Sequence, residues 1–221
     1  MMQITKKFFE DECEKYKIKI IHDITQTNLV KEYPCLQANM EYGFIGLYIP
    51  PDFYADSSMK KGFLFINNKL PYYAKLAVLY HEGQHFTCDI NGCSCVDKWK
   101  KGYNYDLTEK HAFLNSLKKS IKLKAYKTIG FILHNLLLNE IKYAAYLKNK
   151  KIFLQEDAYY INIYARVSRS IRQNKIYSEA VQLLKDESPS MLNFIYDSMQ
   201  KSKTVNDVLK KIKNIDKKRV K

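Results

Sequence analysis

Three features of secreted and membrane proteins are missing from this 221-residue sequence. The longest apolar stretch, residues 129–147, is interrupted by several polar and charged side chains, which argues against a membrane span. The first residues lead into the acidic segment 10–12 and not into an apolar segment of the signal-peptide kind. The five cysteines are an odd number without disulfide-like spacing, which fits a reducing compartment. We therefore expect a cytoplasmic protein with no membrane partner.

Arginine is also scarce, although the chain is basic. The net charge is +14, and residues 100–221 hold 26 basic against 11 acidic side chains. A basic half of this kind can bind nucleic acid or an acidic protein partner. However, arginine is the usual reader of bases and phosphates, and only four of the 37 basic residues are arginines. The scarcity favours a compositional bias towards Lys, Asn, Ile and Tyr, and nucleic acid stays a candidate partner of this half.

The rest of the composition and patterning predicts an α+β fold. A hydrophobic fraction of 46% is ample for a core, and the length fits one domain, with or without a helical extension. We predict a helix near residues 4–16, strands over 44–49 and 62–67, and helices throughout the second half. The expected architecture is a small N-terminal β-sheet packed on a metal-site helix, followed by a mainly helical C-terminal half. We place the core in residues 1–125 and a basic helical extension in 126–221.

The motif that decides the functional interpretation is His81-Glu82-Gly83-Gln84-His85. On a helix, its two histidines lie one turn apart on one face, where both imidazoles can bind one Zn²⁺ ion. Glu82 lies close enough to take a proton from the attacking water. The residues from Pro71 onwards are almost all apolar, which predicts a buried helix that ends before Asp89. Gly83 costs this helix about 1 kcal/mol relative to alanine, and it leaves room for close approach of a backbone or a substrate.

A catalytic zinc site needs a third protein ligand and an open position for water. Glu109 is the first candidate, because it lies at the start of the next helix and Ala112, one turn later, lets the two helices approach closely. His111 is the second candidate, and Glu140 is a more distant third. The alternative role for Glu109 is a capping box with Asp106 at the helix start.

Cys88, Cys93 and Cys95 follow the motif closely. Three thiols and a fourth ligand can hold a second, structural zinc ion. Their C-x4-C-x-C spacing matches no standard zinc module, so we expect reduced thiols in a turn and keep a second metal site as the alternative.

Three segments together resemble the ImmA/IrrE family of zinc metallopeptidases. They are the end of the second predicted strand through Asn67, the helix with the His-Glu-x-x-His motif, and Glu109-Lys110-His111-Ala112. Members of that family share a strand ending in Asn, the same motif on a helix, and a later Glu-x-x-Ala. The likeness covers residues 60–117, about a quarter of the chain. The family usually has Gly where Gln84 stands, and often an acid where His111 stands.

The resemblance implies a zincin-like metallopeptidase core with zinc ligands at His81, His85 and Glu109, and with Glu82 as the catalytic base. It also implies a cytoplasmic endopeptidase, often encoded by phages and mobile elements, whose substrates are DNA-binding repressors.

Peptide hydrolysis at such a site also needs a second donor to the developing oxyanion. The candidates are His111, Tyr103 and Tyr105, and the sequence does not choose among them. The rival interpretation is a zinc-stabilised module that binds nucleic acid or protein and carries a non-catalytic His-Glu-x-x-His site.

Overall fold

The structure is a computed structural model that describes residues 2–23, 45–51, 62–93, 95, 105–148, 167 and 169–193. It confirms the predicted α+β class, with a small sheet and a mainly helical remainder. The strands are β1 Lys19–Ile21, β2 Gly46–Ile49 and β3 Phe63–Ile66, and the helices are α1 Lys6–Glu14, α2 Tyr72–Asn91, α3 Tyr105–Lys122, α4 Tyr126–Lys148 and α5 Ile176–Glu187.

The three strands form one sheet in the order β1-β3-β2. The central strand β3 pairs in parallel with β1 and antiparallel with β2, where Tyr48 lies opposite Leu64. All four side chains of β3 are buried, which explains why its sequence is a continuous apolar run instead of an alternating one. Asn67 follows β3 directly and accepts a hydrogen bond from the Lys69 N–H, so it turns the chain towards α2.

The metal-site helix α2 packs against β2 and β3. It starts after Pro71, whose extended backbone (ψ 155°) cannot belong to a helix. The predicted end before Asp89 was wrong, because α2 continues to Asn91 and is closed by Gly92 in the left-handed conformation (φ 64°). Only glycine adopts this conformation without strain, so Gly92 ends the helix and Asp89 lies within its last turn.

The helices α3 and α4 pack on α2, and α5 packs on α3 and α4, in one continuous core. Ala77 of α2, Leu117 of α3, Ile129 of α4 and Leu184 of α5 belong to the same buried cluster. The helix α5 ends at Glu187, and Ser188 caps it. The helical patterns predicted beyond residue 193 lie outside the described residues. Within the part of the chain that the structure describes, no helix combines the length and apolarity that crossing a membrane requires.

Candidate metal centre

The first candidate site lies between α2 and α3 and consists of His81, His85 and Glu109, called here the His2Glu cluster. The Nε2 atoms of His81 and His85 are 3.3 Å apart. Glu109 Oε2 lies 3.3 Å from His81 Nε2, and Glu109 Oε1 lies 3.2 Å from His85 Nε2. The three side chains are only 10–15% exposed. Because α2 and α3 pack side by side, with Ala112 fully buried, the carboxylate of α3 reaches the imidazoles of α2.

These distances suit a bound metal ion. A tetrahedral ion with metal–ligand bonds of about 2.0–2.1 Å requires ligand atoms about 3.3–3.4 Å apart. The 3.3 Å between the two Nε2 atoms matches this requirement, and each of these nitrogens has one of the two Glu109 oxygens at 3.2–3.3 Å. Two imidazoles and one carboxylate fill three positions, and the fourth is left for water or a substrate atom. The His2Glu cluster can therefore hold a metal ion.

The electrostatics of the cluster also favour a cation. Burial alone would raise the pKa of Glu109, but the adjacent His81 and His85 outweigh it and hold this pKa well below its usual range. Burial would lower the pKa of His85, but the hydrogen bond and charge of Glu109 raise it. The buried carboxylate thus stays ionised and needs positive charge beside it.

One atom of the cluster has no hydrogen bond. The buried Nδ1 of His81 finds no hydrogen-bond partner among the described residues. The same ring lies 4.3 Å from the Phe113 ring, centroid to centroid, in an edge-on arrangement. Phe113 therefore fixes the orientation of His81 by packing, where many metal-binding histidines are held by a hydrogen bond instead.

Glu82 lies on the side of α2 next to the side that carries the two histidines, and its carboxylate faces the sheet. Its Oε2 accepts a hydrogen bond of 2.9 Å from the backbone N–H of Tyr48 in β2. The Tyr48 side chain runs on along the helix, with its ring edge-on to Phe86 and its hydroxyl 2.6 Å from Asp89 Oδ2. Burial raises the pKa of Glu82, and the neighbouring histidines and the Tyr48 N–H offset part of the rise. Tyr48 thus holds the Glu82 carboxylate beside the two histidines.

Gly83 faces away from the metal cluster, towards α1. A Cβ atom at Gly83 would lie 2.3 Å from Cε1 of Tyr16 and 2.6 Å from its Cζ. The close approach expected at this glycine is therefore made by an aromatic ring. The Tyr16 hydroxyl accepts a hydrogen bond of 3.0 Å from Lys119 of α3, so one ring connects the turn after α1 with the helices that carry the site.

A second group of ligand-type side chains lies at the C-terminal end of α2. It consists of Cys88, Cys93, Cys95 and His111, called here the Cys3His cluster, and it too can hold a metal ion. The three Sγ atoms lie 3.4, 3.4 and 3.6 Å from His111 Nδ1, in chain order. The expectation of plain reduced thiols in a turn missed this convergence, because the fourth member comes from α3.

The remaining candidates fall in different places. Nδ1 of His111, the candidate oxyanion donor and alternative ligand, faces the thiols. Tyr105 is the first residue of α3, but its side chain lies outside the described residues, as do Tyr103 and the side chain of Glu140. Asp106 lies inside the first turn of α3, and the Glu109 carboxylate faces the two histidines.

Two residues to which the sequence assigned no role, Gln84 and Asn115, link Cys88 of the Cys3His cluster to α3. The Gln84 side chain donates a hydrogen bond of 3.1 Å to Cys88 Sγ, and Gln84 Oε1 accepts a hydrogen bond from the Asn115 amide of α3. The only signal in the sequence was the unusual glutamine inside the motif, because Asn115 has no recognisable spacing relative to it.

Comparisons of the chain with protein-family models, with curated proteins and with solved structures found no match. The ImmA/IrrE resemblance therefore stays an expectation from three short segments.

Proposed function

We propose that this protein is a zinc metalloendopeptidase that hydrolyses a peptide bond in a protein substrate. The proposal rests on the approach of the Glu109 carboxylate to within 3.2–3.3 Å of the imidazoles of His81 and His85. This donor set is that of hydrolytic zinc sites, which keep one position open. Glu82 lies directly beside it in the chain, where a general base is needed.

The roles of the side chains follow from these contacts. A Zn²⁺ ion bound by the His2Glu cluster would polarise the scissile carbonyl and lower the pKa of a water molecule at the open position. Glu82 takes the proton of the attacking water and later delivers it to the leaving amine. Because the Tyr48 N–H engages Oε2, we assign this proton transfer to Oε1. Tyr48 is then a positioning residue for the base.

The strand beside Glu82 favours an extended peptide as the substrate. Among the described strands, β2 has a neighbour on one side only, and it passes directly beside Glu82. Extended peptides bind along such strand edges through main-chain hydrogen bonds. The ImmA/IrrE resemblance would make the substrate a DNA-binding repressor in the cytoplasm.

The substitution Glu82→Gln tests the proposal. It keeps the shape of the side chain but removes the base, so we expect zinc binding to be unchanged and peptide hydrolysis to fall by about 10²–10⁴-fold. Hydrolysis can be measured without a known substrate, by labelling the new amino termini that the purified zinc-loaded protein creates in a complex peptide mixture. Glu10→Gln is the matched control, since Glu10 is an exposed residue of α1 that pairs with Lys6.

Two results would refute the proposal. One is hydrolysis by Glu82→Gln at the wild-type rate. The other is the absence of new amino termini with the wild-type protein loaded with one equivalent of zinc at the His2Glu cluster.

A further inference from the structure

The end of α2 explains the cysteine spacing that matched no standard zinc module. Gly92 adopts the left-handed conformation, and the Cys93 N–H then donates a hydrogen bond of 3.0 Å back to the Cys88 carbonyl. This is the six-to-one hydrogen bond of a Schellman motif, in which the residue after the glycine packs against a residue of the last helical turn. Here both residues of that pair are cysteines, so the helix end itself brings two thiols together.

Hydrogen bonding does not account for what surrounds His111. Three sulfur atoms lie within 3.4–3.6 Å of its Nδ1 atom. A neutral imidazole nitrogen has one lone pair and accepts one hydrogen bond, and a protonated one donates one. Two of the three sulfurs therefore gain nothing from this nitrogen. A cation at the centre of the four atoms satisfies all of them at once.

The distances fit such a cation. With zinc–sulfur bonds of about 2.3 Å and zinc–nitrogen bonds of about 2.0–2.1 Å, tetrahedral geometry places sulfur and nitrogen about 3.5 Å apart. The three sulfur–nitrogen distances agree with this value. The sulfurs of Cys93 and Cys95 are 3.0 Å apart, against about 3.8 Å in a tetrahedral site, so a bound ion would separate these two.

The surroundings of the cluster also suit thiolate ligands. The Gln84 amide, held by Asn115, donates its hydrogen bond to Cys88 Sγ. Amide donors of this kind orient sulfur ligands and stabilise their negative charge. Three thiolates around a divalent ion leave one net negative charge, and Lys118 lines the same hollow as Cys95 and His111.

We propose that the Cys3His cluster binds a second Zn²⁺ ion in a closed, structural site. All four ligand positions come from the protein, so no position is left for water, in contrast to the His2Glu cluster. The ligands come from α2, from the turn after it and from α3, so the ion fastens the end of α2 to α3. This inference does not depend on the proposed hydrolysis.

Cadmium NMR on the intact protein tests the inference without any substitution. The metal-free, reduced chain is loaded with two equivalents of ¹¹³Cd²⁺. We expect two resonances, one strongly deshielded by three thiolates and one in the range of nitrogen and oxygen ligands. Cobalt loading should likewise give thiolate-to-cobalt charge-transfer absorption, which the His2Glu cluster cannot produce. Elemental analysis should find two zinc ions per chain.

Matched variants assign each signal to its cluster. Cys93→Ser should remove or strongly shift the deshielded resonance and leave the other in place, whereas the double substitution His81→Ala and His85→Ala should do the reverse. Cys13→Ser is the control, because Cys13 is a free thiol of α1 outside both clusters. The inference is overturned by a single resonance without thiolate character in the wild type, by a deshielded signal that survives Cys93→Ser unchanged, or by a mass two units lower that shows a disulfide in the protein as isolated.

Discussion

The substitution Gly83→Ala, at the centre of the metal-binding motif, has two opposing effects on the stability of the protein. Alanine in a helix interior is more stable than glycine by about 1 kcal/mol, so local propensity favours the change. The added methyl group, however, would lie 2.3–2.9 Å from three atoms of the Tyr16 ring. Packing therefore opposes the change. Whether the protein becomes more or less stable depends on which of the two free-energy effects is larger.

The Tyr16 ring cannot yield cheaply, because Lys119 contacts both its hydroxyl and its face. Lys119 donates a hydrogen bond to its hydroxyl and also lies over the ring face, with Nζ 5.2 Å from the centroid. Overpacking in a filled site costs about 1–3 kcal/mol, and the short contacts with three ring atoms place this case at the upper end. After subtraction of the propensity gain, we expect Gly83→Ala to lower the free energy of unfolding by about 2 kcal/mol.

Urea and thermal unfolding measure this effect. For a chain of this length, about 2 kcal/mol corresponds to a fall in Tm of about 4–8 °C. The decisive comparison is Gly83→Ala in a Tyr16→Ala background, where the obstacle is gone and the same substitution should stabilise by about 1 kcal/mol. The reasoning is refuted if Gly83→Ala stabilises the wild type, or if the two substitutions have additive effects.

Three further predictions concern stability. Tyr80→Phe should destabilise the protein by about 1.5–3 kcal/mol, because the Tyr80 hydroxyl donates a 2.8 Å hydrogen bond to the buried carboxylate of Glu12; urea unfolding measures this, and an unchanged midpoint would contradict it. Lys124→Gly should stabilise by about 0.5–1 kcal/mol, because Lys124 ends α3 with a φ of 53° that strains a side chain. Gly92→Ala should cost a similar amount, since its φ is 64° and a Cβ there meets nothing within 4 Å; equal Tm values for these variants and the wild type would refute the argument.

The elements of the fold could be predicted where one local rule decides them. The apolar run 63–66 predicts a strand, and the 3.6-residue periodicity of the second half predicts helices, without long-range information. The end of α2 was misjudged by local rules, because Asp89 and Asn91 are poor helix formers in isolation. In the fold, Asp89 accepts a hydrogen bond from Tyr48, and only Gly92 adopts the conformation that stops the helix. Tertiary contact thus outweighs local propensity at this boundary.

The candidate sites show the same division between local and long-range information. Helical spacing places His81 and His85 on one face from sequence alone. The position of Glu109 at the start of the next helix, one turn before Ala112, makes it a reasonable partner. The position of His111 could not be derived, because it depends on the rotation of α3 about its axis. That rotation brings Nδ1 of His111 to the thiols, although Glu109 lies only two residues earlier.

The three sides of α2 explain why a helix that is buried almost all round carries so many polar residues. His81, His85 and Cys88 follow one stripe at intervals of four and three residues and face α3. The next stripe, from Glu82 to Asp89, faces β2 through Tyr48, and the third, at Tyr80 and Gly83, faces α1. The polar side chains of these three stripes thus have partners on three different neighbours, which a buried helix requires. A change on one stripe should therefore alter one interface, and a metal ion on the α3 stripe should strengthen that interface without depending on the other two.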